Sequence, residues 1–527
     1  MSRRVRVYDT TLRDGAQAEG INFSLEDSLR VALRLDEFGV DYIEGGWPGS
    51  NPKAVAFFER IRDVPLKHAR VAAFGSTRRA RLAAEDDPNL RTLLESGAPV
   101  LTIFGKSWDL HVTEALRVTL AQNLEMIADS IRFLKAHVSE VIYDAEHFFD
   151  GYRSDPEYAL ATLQAAEEAG ADCLVLCDTN GGTLPGRLAD AIHAVRQRVR
   201  VPFGIHAHND SEMAVANSVV AVELGASHVQ GTINGFGERC GNANLCSVLP
   251  ILELKLGLQT VGPEKLRGLT ELSNFINEVA NMPPNDRQPF VGRSAFAHKG
   301  GVHADAMLKN EETYEHLSPE AVGNTRKIIV SELAGGSSVQ QKAKEFGVDL
   351  TKDSPVTRQV LQRVMDLENE GYSFESAEGS LEVLVRKAMN QYEKTFDLIS
   401  FRVTVEKRAE DPEPITEATL KLRVNGHIAH TVAEGDGPVH ALDNAMRKAL
   451  QQFVPHLADI RLTDFKVRVI NVREGTAAKV RVLVESADSR ETWNTIGVST
   501  NIIEASWQAL VDAVDYAMMR ERRQNST

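Results

Sequence analysis

The chain has 527 residues, 43% of them hydrophobic and 25% charged, and a formal net charge of −15. At roughly 100 to 250 residues per domain, this length predicts two or three globular domains with sizeable cores. The acidic balance argues against a nucleic-acid or anionic-membrane surface and leaves room only for a local basic patch toward an anionic cofactor.

No apolar run approaches the roughly 20 residues needed to span a bilayer. Met1-Ser2-Arg3-Arg4 leads into a strand rather than a signal-peptide core, so a cytoplasmic protein is expected. Cys173, Cys177, Cys240 and Cys246 are too few for a disulfide framework and form no paired zinc knuckle. Cys173 and Cys177 flank an apolar strand and read as core residues.

From Val5 to about Leu256 short β-branched runs alternate with amphipathic helical patterns. The strand candidates begin near Val5, Tyr42, Val71, Val100, Glu140, Cys173, Pro202 and Ser227. Between them lie helices such as Leu25 to Phe38, with apolar Leu29, Leu33, Leu35 and Phe38. Alternation over this length predicts a (β/α)8 TIM barrel rather than an open sheet. A barrel places its chemistry at the C-terminal strand ends. Strand one ends in Asp9 to Gly15, strand two in Glu44 and strand five in Asp144 and Glu146. Strand six ends in Asp178-Thr179-Asn180, strand seven in His206-Ala207-His208-Asn209-Asp210 and strand eight in Asn234, followed by Gly235 to Asn242.

His206 and His208 are two apart on a strand and share a face. A metal site and a pair of hydrogen-bonded core histidines both satisfy that spacing. With Asp14 they offer two imidazoles and a carboxylate, leaving coordination positions for water or a chelating substrate, as a catalytic metal requires. Arg13 is placed to stabilise an oxyanion, and Glu146 to move a proton or orient the reactants. A 2-oxo acid chelates such an ion through its keto and carboxylate oxygens, and the ion polarises its carbonyl, so this set suits carbon–carbon bond formation or cleavage through an enolate.

Past the barrel, Ser294 to Ala306 carries His298, Lys299, paired glycines and His303, with Tyr314 beyond. A polar connection accounts for these residues, and so does a lid or a cofactor-phosphate contact over the barrel mouth. Helices are expected from about Thr325 to Tyr392, one opened by Ser354-Pro355. Near Phe396 the texture changes to two successive strand-strand-helix units about sixty residues apart, a duplicated α+β domain. Its strands include Ala418 to Val424 and Phe465 to Val472, and its helices run from about Pro438 to Phe453 and Ile503 to Met519. The expected domains are a catalytic barrel over 1–260, an extension with helical linker subdomains over 261–395, and a regulatory domain over 396–527.

Asp9 to Gln17, His206 to His208, Gly237 to Ala243 and His298 to Ala304 together resemble the motifs of the DRE-TIM metal-dependent acyltransferases. The duplicated C-terminal domain is similar to their regulatory domain, so the resemblance spans essentially the whole chain. Tyr42 to Pro52, Val100 to Thr113 and Tyr143 to Gly151 are most similar to the branch that uses pyruvate. The resemblance implies that Asp14, His206 and His208 ligate Mn, Mg, Zn or Co, with Asn242 near the ion. Arg13 would stabilise the oxyanion, Gln17, Glu44 and Thr179 would hold the oxo acid, and Asp144 is grouped beside them.

On the same resemblance, Glu146 and His303 would transfer a proton or position the acetyl group of acetyl-CoA, assisted by Tyr314. No role is assigned to His298. The implied reaction is condensation of acetyl-CoA with pyruvate, with another 2-oxo acid as the rival acceptor. An acyl-CoA lyase and a non-catalytic amino-acid sensor stand further off. A homodimer and feedback by isoleucine complete what the resemblance implies.

Overall fold

The structure, a computed structural model, describes residues 3–410, 413–470, 475 and 477–524. Met1 and Ser2 of the N-terminal reading, and Asn471 and Val472 at the end of one expected strand, lie outside the described residues. The chain forms two compact units. One runs to Phe296 and takes in His316–Arg326, and the other holds Ala297–Glu315 and the chain from Lys327 onward.

The first unit is built on eight parallel strands: β1 (Arg6–Asp9), β2 (Tyr42–Glu44), β3 (Arg70–Ser76), β4 (Val100–Lys106), β5 (Glu140–Glu146), β6 (Cys173–Asp178), β7 (Phe203–Ala207) and β8 (His228–Gly231). They close into a barrel in sequence order, and β1 pairs with β8 from Arg6 opposite His228 to Asp9 opposite Gly231. Tyr8, Tyr42, Ala72, Val100, Ile142, Cys173, Val175 and Cys177 form a buried cluster. Both cysteines are thus core residues, as the sequence predicts, and they are free thiols.

The outer helices follow local signals. In α1 (Leu25–Phe38) Ser24 and Asp27 make a reciprocal capping box, and Gly39 ends the helix at φ 94°. The barrel's apolar core continues past the last strand into α2 (Leu269–Val279), where Leu269, Leu272 and Ile276 join it. No helix among the described residues is long and apolar enough to cross a membrane.

The second unit opens with a short parallel pairing of Ala297–His298 with Lys327–Ile328. It continues through α3 (Gly301–Lys309), α4 (Gly336–Glu345), α5 (Pro355–Glu370) and α6 (Glu378–Ala388). Ser354 and Pro355 open α5 as expected, the Ser354 hydroxyl accepting from Thr357 N–H.

Two repeats follow. The first is β9 (Asp397–Glu406), β10 (Ile415–Val424), β11 (His427–Gly435) and α7 (Pro438–Leu450). The second is β12 (Arg461–Val469), β13 (Val480–Ala487), β14 (Thr492–Ser499) and α8 (Ile502–Gln524). Each therefore has three strands rather than a strand-strand-helix pattern; all three of the second were expected, from Phe465, Lys479 and Thr492, but only two of the first. The missing strand was β11, where His427, His430 and Glu434 break up the apolar alternation of a strand lying at the edge of its sheet. Starts of corresponding elements, such as Asp397 and Arg461 or His427 and Thr492, lie 64 or 65 residues apart. The first strand of each repeat also carries a register shift at the same place, between Leu398 and Ser400 and between Leu462 and Asp464. Period-two burial builds the core: Thr416, Ala418, Leu420, Leu422 and Val424 point inward from β10 and pack with α7.

Candidate active site

The polar side chains at the C-terminal ends of the barrel strands converge. Asp14 sits in the turn after β1, which Thr10 shapes by accepting Asp14 N–H at its hydroxyl, 3.3 Å. Asp14 Oδ2 lies 3.3 Å from His206 Nε2 and 3.9 Å from His208 Nε2, and the two Nε2 atoms are 3.3 Å apart. Each of the three residues offers one ligand atom, and these atoms lie within 4.8 Å of one another.

Asn242 joins them through the loop after β8, which folds back so that Asn242 bridges His208 in antiparallel fashion. Gly241 takes φ 87° in that loop, where an added Cβ would run into the Gly235 carbonyl. Arg239 clamps the same loop, donating to both oxygens of Asp210 at 2.8 and 2.9 Å and to the Thr179 carbonyl at 2.7 Å.

Three buried atoms here have no hydrogen-bond partner: Asp14 Oδ1, His208 Nδ1 and Asn242 Oδ1. Burial next to His206 pushes His208 down to about 3, so its ring is neutral and its lone pair free. Burial alone would raise Asp14, yet Arg13 and His206 hold its carboxyl well below the usual range. His206 Nδ1 lies 2.9 Å from Gln230 Oε1, which can only accept, so His206 carries its proton there and leaves Nε2 open. Gln230 Nε2 in turn donates to Asp144 at 3.1 Å. Orphaned oxygens, the neutral His208 ring and a mixed N and O donor set fit a divalent metal ion.

Arg13 lies on the other side of Asp14, its Nη1 3.3 Å from Asp14 Oδ2. Its Nε donates to Glu44 Oε2 at 2.5 Å, and its guanidinium stands 3.8 Å above the Phe74 ring. Glu44 is fully buried and also accepts from Tyr8 at 2.7 Å and from Thr10. Its two oxygens are taken up by Tyr8, Thr10 and Arg13, so in this structure Glu44 anchors Arg13. Phe74 stacks on Phe104 at 5.4 Å, and Trp47 meets both rings edge-on, giving an aromatic wall beside Arg13. Gln17 is exposed and lines a cavity of about 250 Å3 shared with Arg13 and Trp47.

Glu146 pairs with Lys106 across the ends of β5 and β4. The Thr179 hydroxyl accepts from His147 N–H at 2.9 Å. In the second unit His303 and Tyr314 stack with ring centroids 4.3 Å apart, both exposed. His298 gains a partner the sequence did not supply: its Nε2 lies 3.0 Å from Glu315 Oε1, tying down the segment that presents Tyr314.

Gln230, Lys106 and the aromatic wall were not singled out from sequence. Gln230 reaches the centre through the pairing of β7 with β8, which sets it opposite His206.

Residues 4–276 match the HMGL-like family model, 290–371 the homocitrate synthase post-HMGL domain-like model, and 375–518 the LeuA allosteric (dimerisation) domain model. The chain belongs to the HMGL-like family. Among HMGL-like relatives, the (R)-citramalate synthase of Geobacter sulfurreducens is 56% identical over 98% of this chain and 97% of its own. That of Aquifex aeolicus is 54% identical over 99% of each chain. The probable 2-isopropylmalate synthase of Methanopyrus kandleri is 30% identical over 99% of this chain and 100% of its own. The HMGL-like match covers the barrel, including every residue of the Asp14, His206, His208 and Asn242 cluster.

Proposed function

We propose that this chain is an (R)-citramalate synthase, condensing acetyl-CoA with pyruvate and hydrolysing the adduct to (R)-citramalate and CoA. The observation that carries the reading is near full-length identity of 47–56% to several relatives of that name, against 30–31% to probable 2-isopropylmalate synthases. The wall of Trp47, Phe74 and Phe104 beside Arg13 favours a small acceptor, each extra methyl group being worth roughly 1 to 3 kcal/mol in such a pocket.

Asp14, His206, His208 and Asn242 would hold the ion, whether Mn, Mg, Zn or Co. When bound, the ion acts as a Lewis acid toward the keto carbonyl of the oxo acid. Arg13 faces the charge that develops on that carbonyl oxygen, and Glu44 acts through Arg13 by fixing its Nε. Gln17, Asp144 and Thr179 bind and orient the oxo acid. Glu146 and His303 move the proton that leaves the acetyl methyl, with Tyr314 fixing the His303 ring. The methyl carbon then bonds to the keto carbon, and water attacks the thioester carbonyl to release CoA. A barrel over 1–260, an extension over 261–395 and a regulatory domain over 396–527 divide the labour. The last of these forms a homodimer and takes isoleucine as feedback ligand.

CoA release with a divalent ion and pyruvate, 2-oxobutyrate, 2-oxoisovalerate or glyoxylate tests this, the product being identified by mass. Pyruvate should be preferred and give citramalate, and Asp14→Ala should abolish release. Preference for 2-oxoisovalerate would overturn the substrate, and no release with any acceptor would overturn the reaction.

A further inference from the structure

Lys106 is the last residue of β4 and Glu146 the last of β5, and the two are register partners in the barrel. Period-two alternation turns both side chains inward. Thr102, four residues before Lys106, has its hydroxyl 2.9 Å from that of Tyr8 in the barrel interior, and Asp144, two before Glu146, accepts from Gln230. The Lys106 and Glu146 side chains are only 18% and 22% exposed.

The carboxylates around this mouth are each balanced by a nearby donor. Asp14 and Glu44 flank Arg13, and Asp144 takes the amide of Gln230. Glu146 takes Lys106, whose ammonium bonds Oε2. Glu146 Oε1 accepts from no group among the described residues, so the carboxylate is gripped at one oxygen and open at the other. A general base needs that arrangement, with a lone pair fixed in direction and clear of protein donors.

Lys106 is itself held in place. Its carbonyl accepts from Asn123 Nδ2 at 2.8 Å, and the same amide donates to the Tyr158 hydroxyl at 2.8 Å. Ser107, the next residue, donates its N–H to the Glu146 carbonyl at 3.1 Å. Gly151 packs so closely there that an added Cβ would strike the Ser107 carbonyl. Lys106 Nζ lies 5.3 Å from the Phe104 ring centre, against the aromatic wall that runs through Phe74 to Arg13. A flexible four-carbon stem is thus fixed at its base and lies against a ring near its tip.

We infer that Lys106 is a positioning residue for the condensation, its ammonium holding Glu146 Oε2 so that Oε1 faces the methyl group of acetyl-CoA. The inference rests on the synthase reading. In the step it serves, a methyl C–H bond breaks, the proton passes to Glu146 Oε1, and the electron pair stays with the substrate as the enolate. Without the ammonium the carboxylate is free to turn away, so the proton is removed less often while the acceptor still binds.

The test is CoA release from acetyl-CoA and pyruvate by the full-length protein and its variants, with folding checked by circular dichroism. Lys106→Met, or Lys106→Gln where the former does not fold, should lower kcat by about 10- to 100-fold. The KM for pyruvate and the affinity for the divalent ion should stay within about twofold of the parent values. Lys106→Arg, which keeps the charge, should recover part of the loss. Deuteration of the acetyl methyl should slow the neutral variant more than the parent, because proton removal has become the slow step. Lys106→Met should cost nothing further in a Glu146→Gln background, since it acts through that carboxylate. Parent turnover in the neutral variant, a change confined to the KM for pyruvate, no gain from Lys106→Arg, or a further loss in the Glu146→Gln background would each overturn the inference alone. Absence of CoA release by the parent protein would instead overturn the synthase reading and the inference with it.

Discussion

At the scale of single residues, the candidate centre depends on side chains that touch no substrate. Gln230 fixes which nitrogen of His206 is open, so Gln230→Leu should weaken divalent-metal affinity by about 10- to 100-fold while leaving the fold intact. Metal titration against the parent protein checks this, and unchanged affinity would remove Gln230 from the centre. Asp9 has a different consequence. Burial lifts it from 3.8 to about 7, against the opposing bonds from Thr11. A carboxyl raised in the folded state binds its proton more tightly there than when unfolded. Stability is thus highest below the unfolded value and falls as pH rises toward 7, by about 1.4 kcal/mol per pH unit for one such group. Asp9→Asn should flatten that slope, seen as a smaller loss of urea resistance between pH 5 and pH 8. The triad itself was legible in the sequence because strand periodicity alone puts His206 and His208 on one face. Gln230, Lys106 and Phe74 were not, because their roles depend on which strands become neighbours and on how far each projects.

At the scale of elements, the loop after β8 decides whether Asn242 reaches the centre. Gly241→Ala would force an L side chain into φ 87° and against the Gly235 carbonyl, a strain of roughly 1 to 3 kcal/mol. Weaker metal binding with the barrel still folded is the expected outcome, read by titration and circular dichroism. Full metal affinity in this variant would show that the loop's path is not required. The eight barrel strands were readable because each is a run of β-branched residues bounded by turn residues. The edge strand β11 was not, since a strand with one free edge carries polar residues that blur the alternation. Helix starts were clearest where a cap residue declared them, as at Ser24 and Ser354.

At the scale of the whole molecule, the match to a dimerisation domain gives the exposed apolar residues of the first repeat a purpose. Ile428 and Val432 on the edge strand β11 are 58% and 42% exposed, too open for a finished surface strand. Replacing both with Asp should convert a dimer to a monomer in sedimentation, and an unchanged dimer would place the interface elsewhere. The pairing of β1 with β8 has a further consequence, for synthesis rather than catalysis. Arg6 must meet His228 to close the ring, so the first strand made waits for the last. At the usual translation rate of about 5 to 20 residues per second, β1 stays unpaired along that side for about 10 to 40 s on the ribosome. Through that interval every nascent chain offers an open β edge to its neighbours on the same message, so yield in a cell should depend on how well that edge is shielded until β8 emerges.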